Sequence, residues 1–442
     1  MADAWGERMP RSVSFAQIVA LSVGITIGSG IFRVPATVAA QLQLPGPMLL
    51  CWVLGGVIAV CGALSVAELA GALPRSGGVF AYLLEGYGPL AAFLFGWTEL
   101  VVIRASALGA IATIFAEYLG YFAPLVGAHV RSAAALGIVL IGAINYLGVQ
   151  RAAAVLSATT AVKYAVLLGL GLLAFTARGG SAAHFAPAWP AQAALSALAT
   201  ALIPVMWTYD GWADAAFVAG EVRDPQRTLP LALIAGALCV IVAYLVVNVG
   251  FLYALTPQTM AQSKLVVASV AARIPLLGAA GGAVIAAAVV ISAFSGLNAS
   301  MMAGSRIFFA MADRGLFFRA AARISPRFDS PSVAIWLATA LGVAYVLQND
   351  FAQLADKFIL GIWPFYTLTV AAVFVLRRRQ PHLPRPYRVW GYPLVPIVFL
   401  LGSALMVLNA LITDPRDTGI TFAIILAGLP VFWLWASRPR PH

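Results

Sequence analysis

Residues 23–35 read V-G-I-T-I-G-S-G-I-F-R-V-P. Gly24, Gly28 and Gly30 are interleaved there with the hydroxyls of Thr26 and Ser29, inside an apolar run over residues 15–40. Backbone that leaves the helical ladder in lipid must find new partners. It persists only where protein buries it or where it lines a watery cavity. A helix broken here would aim free N–H groups, at the positive end of the following half-helix, into the break. That suits a small anion such as a carboxylate. Gly24 and Gly28 also have the spacing of a G-x-x-x-G packing face, but packing alone does not call for G-S-G.

A second interruption lies in residues 201–220, A-L-I-P-V-M-W-T-Y-D-G-W-A-D-A-A-F-V-A-G. Pro204 removes a backbone donor. Thr208, Tyr209, Asp210 and Gly211 then put polar groups and a flexible residue in mid-span. Asp210 reads either as the N-cap of the half-helix that follows or as a cavity carboxylate that attracts a cationic group on a substrate. Trp207 reads as a lid over bound substrate or as core packing.

Ionisable groups inside apolar spans are costly, so each is a functional candidate. Lys163 stands about half-way along a span, in T-T-A-V-K-Y-A-V-L. It is either a snorkelling lysine or an inward ammonium in the place of a bound cation. Span-one carbonyls and the polar groups Ser295 or Asn298 would then be its partners, and it could carry a coupled proton. Arg33 and Arg104 read as structural or gating groups. Glu68, Glu99 and Asp214 carry no assignment.

The elements that position these groups follow from composition. The chain has 442 residues, 62% hydrophobic and 10% charged, with a mean hydropathy of +0.93. A soluble protein of this size has no way to hide so much apolar surface, so this is an all-α polytopic membrane protein. The net charge of +11 is a topology signal and calls for no nucleic acid. Cys51, Cys61 and Cys239 fall in apolar segments and read as small buried hydrophobes.

Twelve apolar segments can be counted: residues 15–40, 47–73, 90–122, 132–147, 152–176, 195–220, 228–255, 276–312, 333–347, 354–376, 389–412 and 418–435. Residues 77–90 read as an interfacial helix, and residues 257–274 as a cap over an outer vestibule or a plain surface helix. With the N-terminus inside, the outer loops hold only Arg131, Arg178, Lys264, Arg273, Lys357 and Arg416. The far larger inner set runs from Arg8 and Arg11 to Arg438 and Arg440. The positive-inside rule therefore places both termini in the cytoplasm.

The two interruptions fall in matching positions of two five-span halves, offset by about 180 residues in the numbering. Five is odd, so the second half inserts with opposite topology. That is the inverted-repeat signature of a secondary transporter with a midplane site. The division is a tail 1–14, a first repeat 15–177, a second repeat 193–378, two further helices within 385–437, and a tail 438–442.

Several motifs in order carry a resemblance. They are G-S-G-I-F at residues 28–32, A-E-L-A-G-A-L-P-R-S-G-G at 67–78, W-T-E-L-V-V-I-R at 97–104, Y-D-G-W at 209–212, E-V-R-D-P-Q-R-T-L-P at 221–230, and S-R-I-F-F-A-M-A-D-R-G at 305–315. The chain resembles the amino acid–polyamine–organocation superfamily and, within it, the L-type amino acid transporter group. The resemblance implies a LeuT-type fold of 5+5 inverted repeats with broken helices one and six and two extra helices. It implies sodium-independent transport of amino acids, often as obligatory exchange. The substrate carboxylate would meet N–H groups around Gly28, Ser29 and Gly30. The amino group would meet carbonyls near Ile25 and around Trp207–Tyr209, beside Asp210 and Gly211. Lys163 matches the family's span-five lysine, and Trp207 its gating aromatic. Many animal members have glycine where Asp210 stands, which leaves the side-chain preference open.

Animal members join a heavy chain through a cysteine between spans three and four. Residues 123–131 contain none, so no disulfide-linked partner is expected. The partners are an amino acid substrate and membrane lipid, in a bacterial plasma membrane. The arginine and alanine richness points to the bacterial source. The competing readings are a proton-coupled amino acid or polyamine carrier and a transporter-like nutrient receptor, against which the short tails argue. His129, His184, His382 and His442 all lie in loops or at the end. No motif in a span calls for a cofactor, a metal or an enzyme.

Overall fold

Ser14 opens the first helix with a capping box. Its hydroxyl accepts from the Gln17 amide at 3.4 Å, and the Gln17 side chain accepts from the Ser14 amide at 2.9 Å. Two donors that the helix start leaves orphaned are thereby satisfied. The computed structural model describes residues 14–28, 30–75, 77–147, 162–189, 195–263, 265–323, 325, 327–328 and 330–436. Its helices are α1 (Phe15–Thr26), α2 (Val34–Leu42), α3 (Pro45–Ala72) and α4 (Val79–Tyr87). Then come α5 (Pro89–Leu119), α6 (Val130–Tyr146), α7 (Val162–Thr176) and α8 (Leu195–Tyr209). The rest are α9 (Pro225–Ala254), α10 (Gly281–Asp313), α11 (Ser332–Gln348), α12 (Phe351–Arg379), α13 (Leu394–Thr413), α14 (Pro415–Leu426) and α15 (Gly428–Ala436).

Seven helical runs are long and apolar enough to cross a membrane, and five shorter apolar helices accompany them among the described residues. All-helical spans satisfy every backbone group within the segment, which lipid demands.

The helices pack in two groups. α9 lies against α1 and α3, and α3 against α8; α5, α6, α10 and α11 all pack on one another, while α12 touches α3, α4, α5 and α8. Small residues let the backbones approach. A methyl on Gly55 of α3 would meet Val205 at 2.6 Å, and one on Gly171 of α7 would meet Val247 at 3.0 Å.

Both interruptions are present in the backbone. α1 ends at Thr26 because Ile27 leaves the helical region (φ −75°, ψ 72°), and a short 3-10 turn, Gly30–Phe32, leads into α2. α8 ends at Tyr209; Gly211 then takes φ +111°, a value that L side chains rarely adopt. The chain continues as a 3-10 helix, Asp214–Glu221, rather than as an α-helix.

α4, the segment read as interfacial, is largely buried, from Val79 to Leu83, and packs on α12 and α5. The last apolar segment turns at Ala427 within one membrane-length run, Pro415–Leu434. One reading needs amendment. Cys239 is exposed on α9, whereas Cys51 and Cys61 are buried as expected. The outer piece forms two short helices, Pro257–Gln262 and Val266–Ala271. Met260, Val266 and Val270 are fully buried, and the first helix covers α2.

Candidate functional site

The two interruptions meet. A methyl on Gly211 would lie 2.8 Å from the Thr26 hydroxyl and 2.9 Å from the Thr26 nitrogen. One on Gly30 would lie 2.9 Å from the Trp207 ring and 3.0 Å from the Thr208 hydroxyl. Close approach of the two breaks thus requires glycine on each side. Between them, α5, α10 and α12 close a cavity.

Of the residues singled out in the sequence, Ile25, Gly28, Gly30, Trp207 and Asp210 line this cavity. Ser29 lies outside the described residues. Tyr209 turns the other way: its hydroxyl donates to the Trp52 carbonyl at 3.1 Å, and its ring packs against Trp52 and Tyr244 at centroid separations of 5.9 and 5.1 Å. Gly211 shapes the break without lining the cavity. Asp210 accepts a hydrogen bond from the Tyr366 hydroxyl at 2.9 Å. The 3-10 helix beyond it has no side-chain cap.

Lys163 is 4% exposed, and its ammonium donates to the Gly24 carbonyl at 3.0 Å. It points inward to the first helix and does not snorkel. Asn298 on α10 accepts from Asn145 at 2.8 Å, and Ser295 is fully buried on the same helix.

The walls add groups that sequence reasoning left unassigned or missed. Glu99 and Arg104 are five residues apart, a spacing that an α-helix places on different faces. The stretch Glu99–Arg104 of α5 is a π-helix, and its wider turn brings the two together as an ion pair. Arg104 Nη1 also donates to the Ser300 hydroxyl at 2.8 Å. Arg104 Nε is buried without a hydrogen-bond partner among the described residues. Glu99, Asp210 and Asp214 therefore share the cavity with the guanidinium of Arg104.

Tyr244 on α9 was missed outright. Its hydroxyl lies 2.8 Å from the Thr26 carbonyl and 3.0 Å from the Thr208 carbonyl. One proton is thus shared between the last turns of the two broken helices, whose carbonyls have no intrahelical donor. Tyr244 and Asn248, four residues apart in an otherwise apolar span, were the only available signal.

The end of the cavity beside α2 is covered. Trp207 is 8% exposed and meets Phe351 edge-on at 5.3 Å. The Arg33 guanidinium sits 4.6 Å from the Phe351 ring centroid and forms an ion pair with Glu117. Tyr118 donates to the Phe32 carbonyl at 3.0 Å.

An all-helical assembly of apolar spans enclosing a charged cavity defines a polytopic membrane protein. The chain belongs to the amino acid permease family, part of the amino acid–polyamine–organocation superfamily, whose profile matches residues 13–435. It is 32% identical to the human b(0,+)-type amino acid transporter 1 over 94% of this chain and 86% of that one. It is 29% identical to the serine/threonine exchanger SteT of Bacillus subtilis, over 97% of this chain and 98% of that one. It is 30% identical to the human cystine/glutamate transporter, over 98% of this chain and 87% of that one. The family and these relatives are transporters, not enzymes.

Proposed function

We propose that the protein is a sodium-independent, alternating-access amino acid exchanger built as a 5+5 inverted repeat. The observation that carries this reading is the meeting of the two interrupted helices at one cavity, with the Lys163 ammonium on the Gly24 carbonyl behind the first break. The repeats are residues 15–177 and 193–378, followed by two further helices within 385–437. The packing supports this division: the first two spans of each half form one group and the next two the other. Both termini lie in the cytoplasm of a bacterial cell, and the end covered by Trp207, Phe351 and Arg33 faces out.

The substrate carboxylate sits on N–H groups of the first break, around Gly28, Ser29 and Gly30, at the positive end of the following turn. The amino group meets carbonyls near Ile25 and at the end of α8. The side chain extends toward Asp210, Asp214 and the Glu99–Arg104 pair. A buried ammonium fixed in a cation site leaves neither room nor charge balance for Na⁺. No disulfide-linked heavy chain is required. Exchange is named in the relative SteT.

The test is radiolabelled amino acid flux in proteoliposomes, with and without internal amino acid, in sodium and in choline buffers. Uptake that needs internal substrate and ignores the cation supports the reading; robust stimulation by sodium overturns it. Uptake into empty vesicles driven by an inward proton gradient would instead favour a proton-coupled carrier.

A further inference from the structure

The last turn of α12 carries Arg377, Arg378 and Arg379. From Arg377 to Thr413 the chain holds five arginines and one histidine, and no Asp or Glu. One carboxylate from elsewhere, Glu68 of α3, engages two of these arginines. Arg377 donates to it twice, at 2.8 and 2.6 Å, and Arg385 Nε lies 3.5 Å away. The Val389 amide donates to Glu68 as well, at 2.7 Å. Arg385 also donates to the carbonyls of Leu376 and Gln380, closing the end of α12. Arg377 stacks over the Tyr392 ring at 3.8 Å. The stretch between α12 and α13 is thus an arch fastened at both ends.

What the arch leaves outward is cationic and aromatic. Arg378, Arg379 and Arg388 are exposed, and none of them forms an ion pair among the described residues. In the same stretch of chain Trp390 is 78% exposed and Leu394, the first residue of α13, is 70% exposed. An exposed tryptophan at the start of an apolar span marks the headgroup level of a bilayer. Guanidinium forks match phosphate oxygens.

We propose that residues 378–394 form a binding site for the headgroup of an anionic phospholipid, with Arg378 and Arg388 on the phosphate and Trp390 and Leu394 along the acyl chains. The buried Glu68 tie holds the arch in its bound shape, so little order has to be imposed on binding. The apolar flank selects a lipid over a free anion.

The full chain is incubated in detergent with equal phosphatidylglycerol and phosphatidylcholine, and retained lipid is counted by native mass spectrometry. The wild type is expected to keep phosphatidylglycerol about fivefold or more over phosphatidylcholine. Arg378→Gln with Arg388→Gln should bring the ratio to near parity, the double lysine variant should keep part of it, and Arg131→Gln on another surface should not change it. Equal retention of both lipids by the wild type, or an unchanged ratio in the double glutamine variant, overturns the proposal. If the double variant does not fold, Arg388→Gln alone is judged by the same ratio. The measurement needs no transport, so it stands apart from the exchange reading.

Discussion

Glycine at position 30 is a consequence of where Trp207 sits. Any Cβ there meets the indole ring and the Thr208 hydroxyl, and overpacking of that kind costs about 1–3 kcal/mol. Gly30→Leu is therefore expected to abolish substrate binding in a protein that remains monodisperse on size exclusion; normal binding by isothermal titration would refute the cradle. Asp210 makes a different prediction. Asn keeps an acceptor for Tyr366 but removes the charge. Asp210→Asn should raise KM for arginine or lysine by about tenfold or more, near 1.4 kcal/mol, and leave serine or alanine nearly unchanged. Loss of all substrates alike would assign Asp210 to the architecture of the break. Lys163→Ala removes the ammonium from the Gly24 carbonyl. It is expected to raise uptake into empty vesicles relative to exchange, or to slow transport, without creating a pH dependence. A wild type driven by a proton gradient, with that drive erased in Lys163→Ala, would make the lysine the proton carrier.

Helices α1 and α8 stop at positions that their own residues dictate, but α9 supplies the hydroxyl that their last carbonyls share. Removing it from Tyr244 deprives the buried Thr208 carbonyl of that donor, while the Thr26 carbonyl keeps the Gly28 amide at 2.7 Å. Tyr244→Phe should cost about 1–3 kcal/mol of stability, read as a lowered melting temperature in detergent. The same substitution should loosen the coupling between the two breaks, read as weaker substrate binding. At the opposite end, Glu68 is 1% exposed and fastens α3 to the end of α12 through Arg377. Glu68 is buried but Arg377 is partly exposed, so removing the carboxylate charge is expected to cost less than the about 3–5 kcal/mol of a fully buried pair. Because Glu68 also holds Arg385 and the Val389 amide, Glu68→Gln should lower thermal stability more than Tyr244→Phe does, and scanning fluorimetry of the two variants side by side decides it.

At the centre of the assembly lie two packed groups of four helices, with α12 in contact with both. Under the proposed alternating access, one group would rock against the other about the cavity. The covered end, where Trp207, Phe351 and Arg33 meet, would then open as the far end closes. Exchange follows when the empty carrier cannot rearrange. Counterflow should therefore exceed net uptake severalfold in sodium-free vesicles; equal rates would exclude obligatory exchange.

The membrane class was legible in the composition, the two interruptions in residues 23–35 and 201–220, and the mid-span lysine in 159–167, while its inward direction came with the packing. Glycine, proline and lone charges stand out against hydrocarbon because their cost in lipid is local. Which polar groups would meet was not legible. Glu99 and Arg104 pair through a π-turn that no i,i+4 pattern predicts. Tyr244 reaches Thr26 across 218 positions of chain. Tyr209, polar and mid-span, turns to Trp52 instead of the cavity, because a side chain's face is set by the helices packed around it. The burial of α4 beneath α12 has the same origin. Local chemistry says where a span must break, and only the packing of distant spans decides what the break confronts.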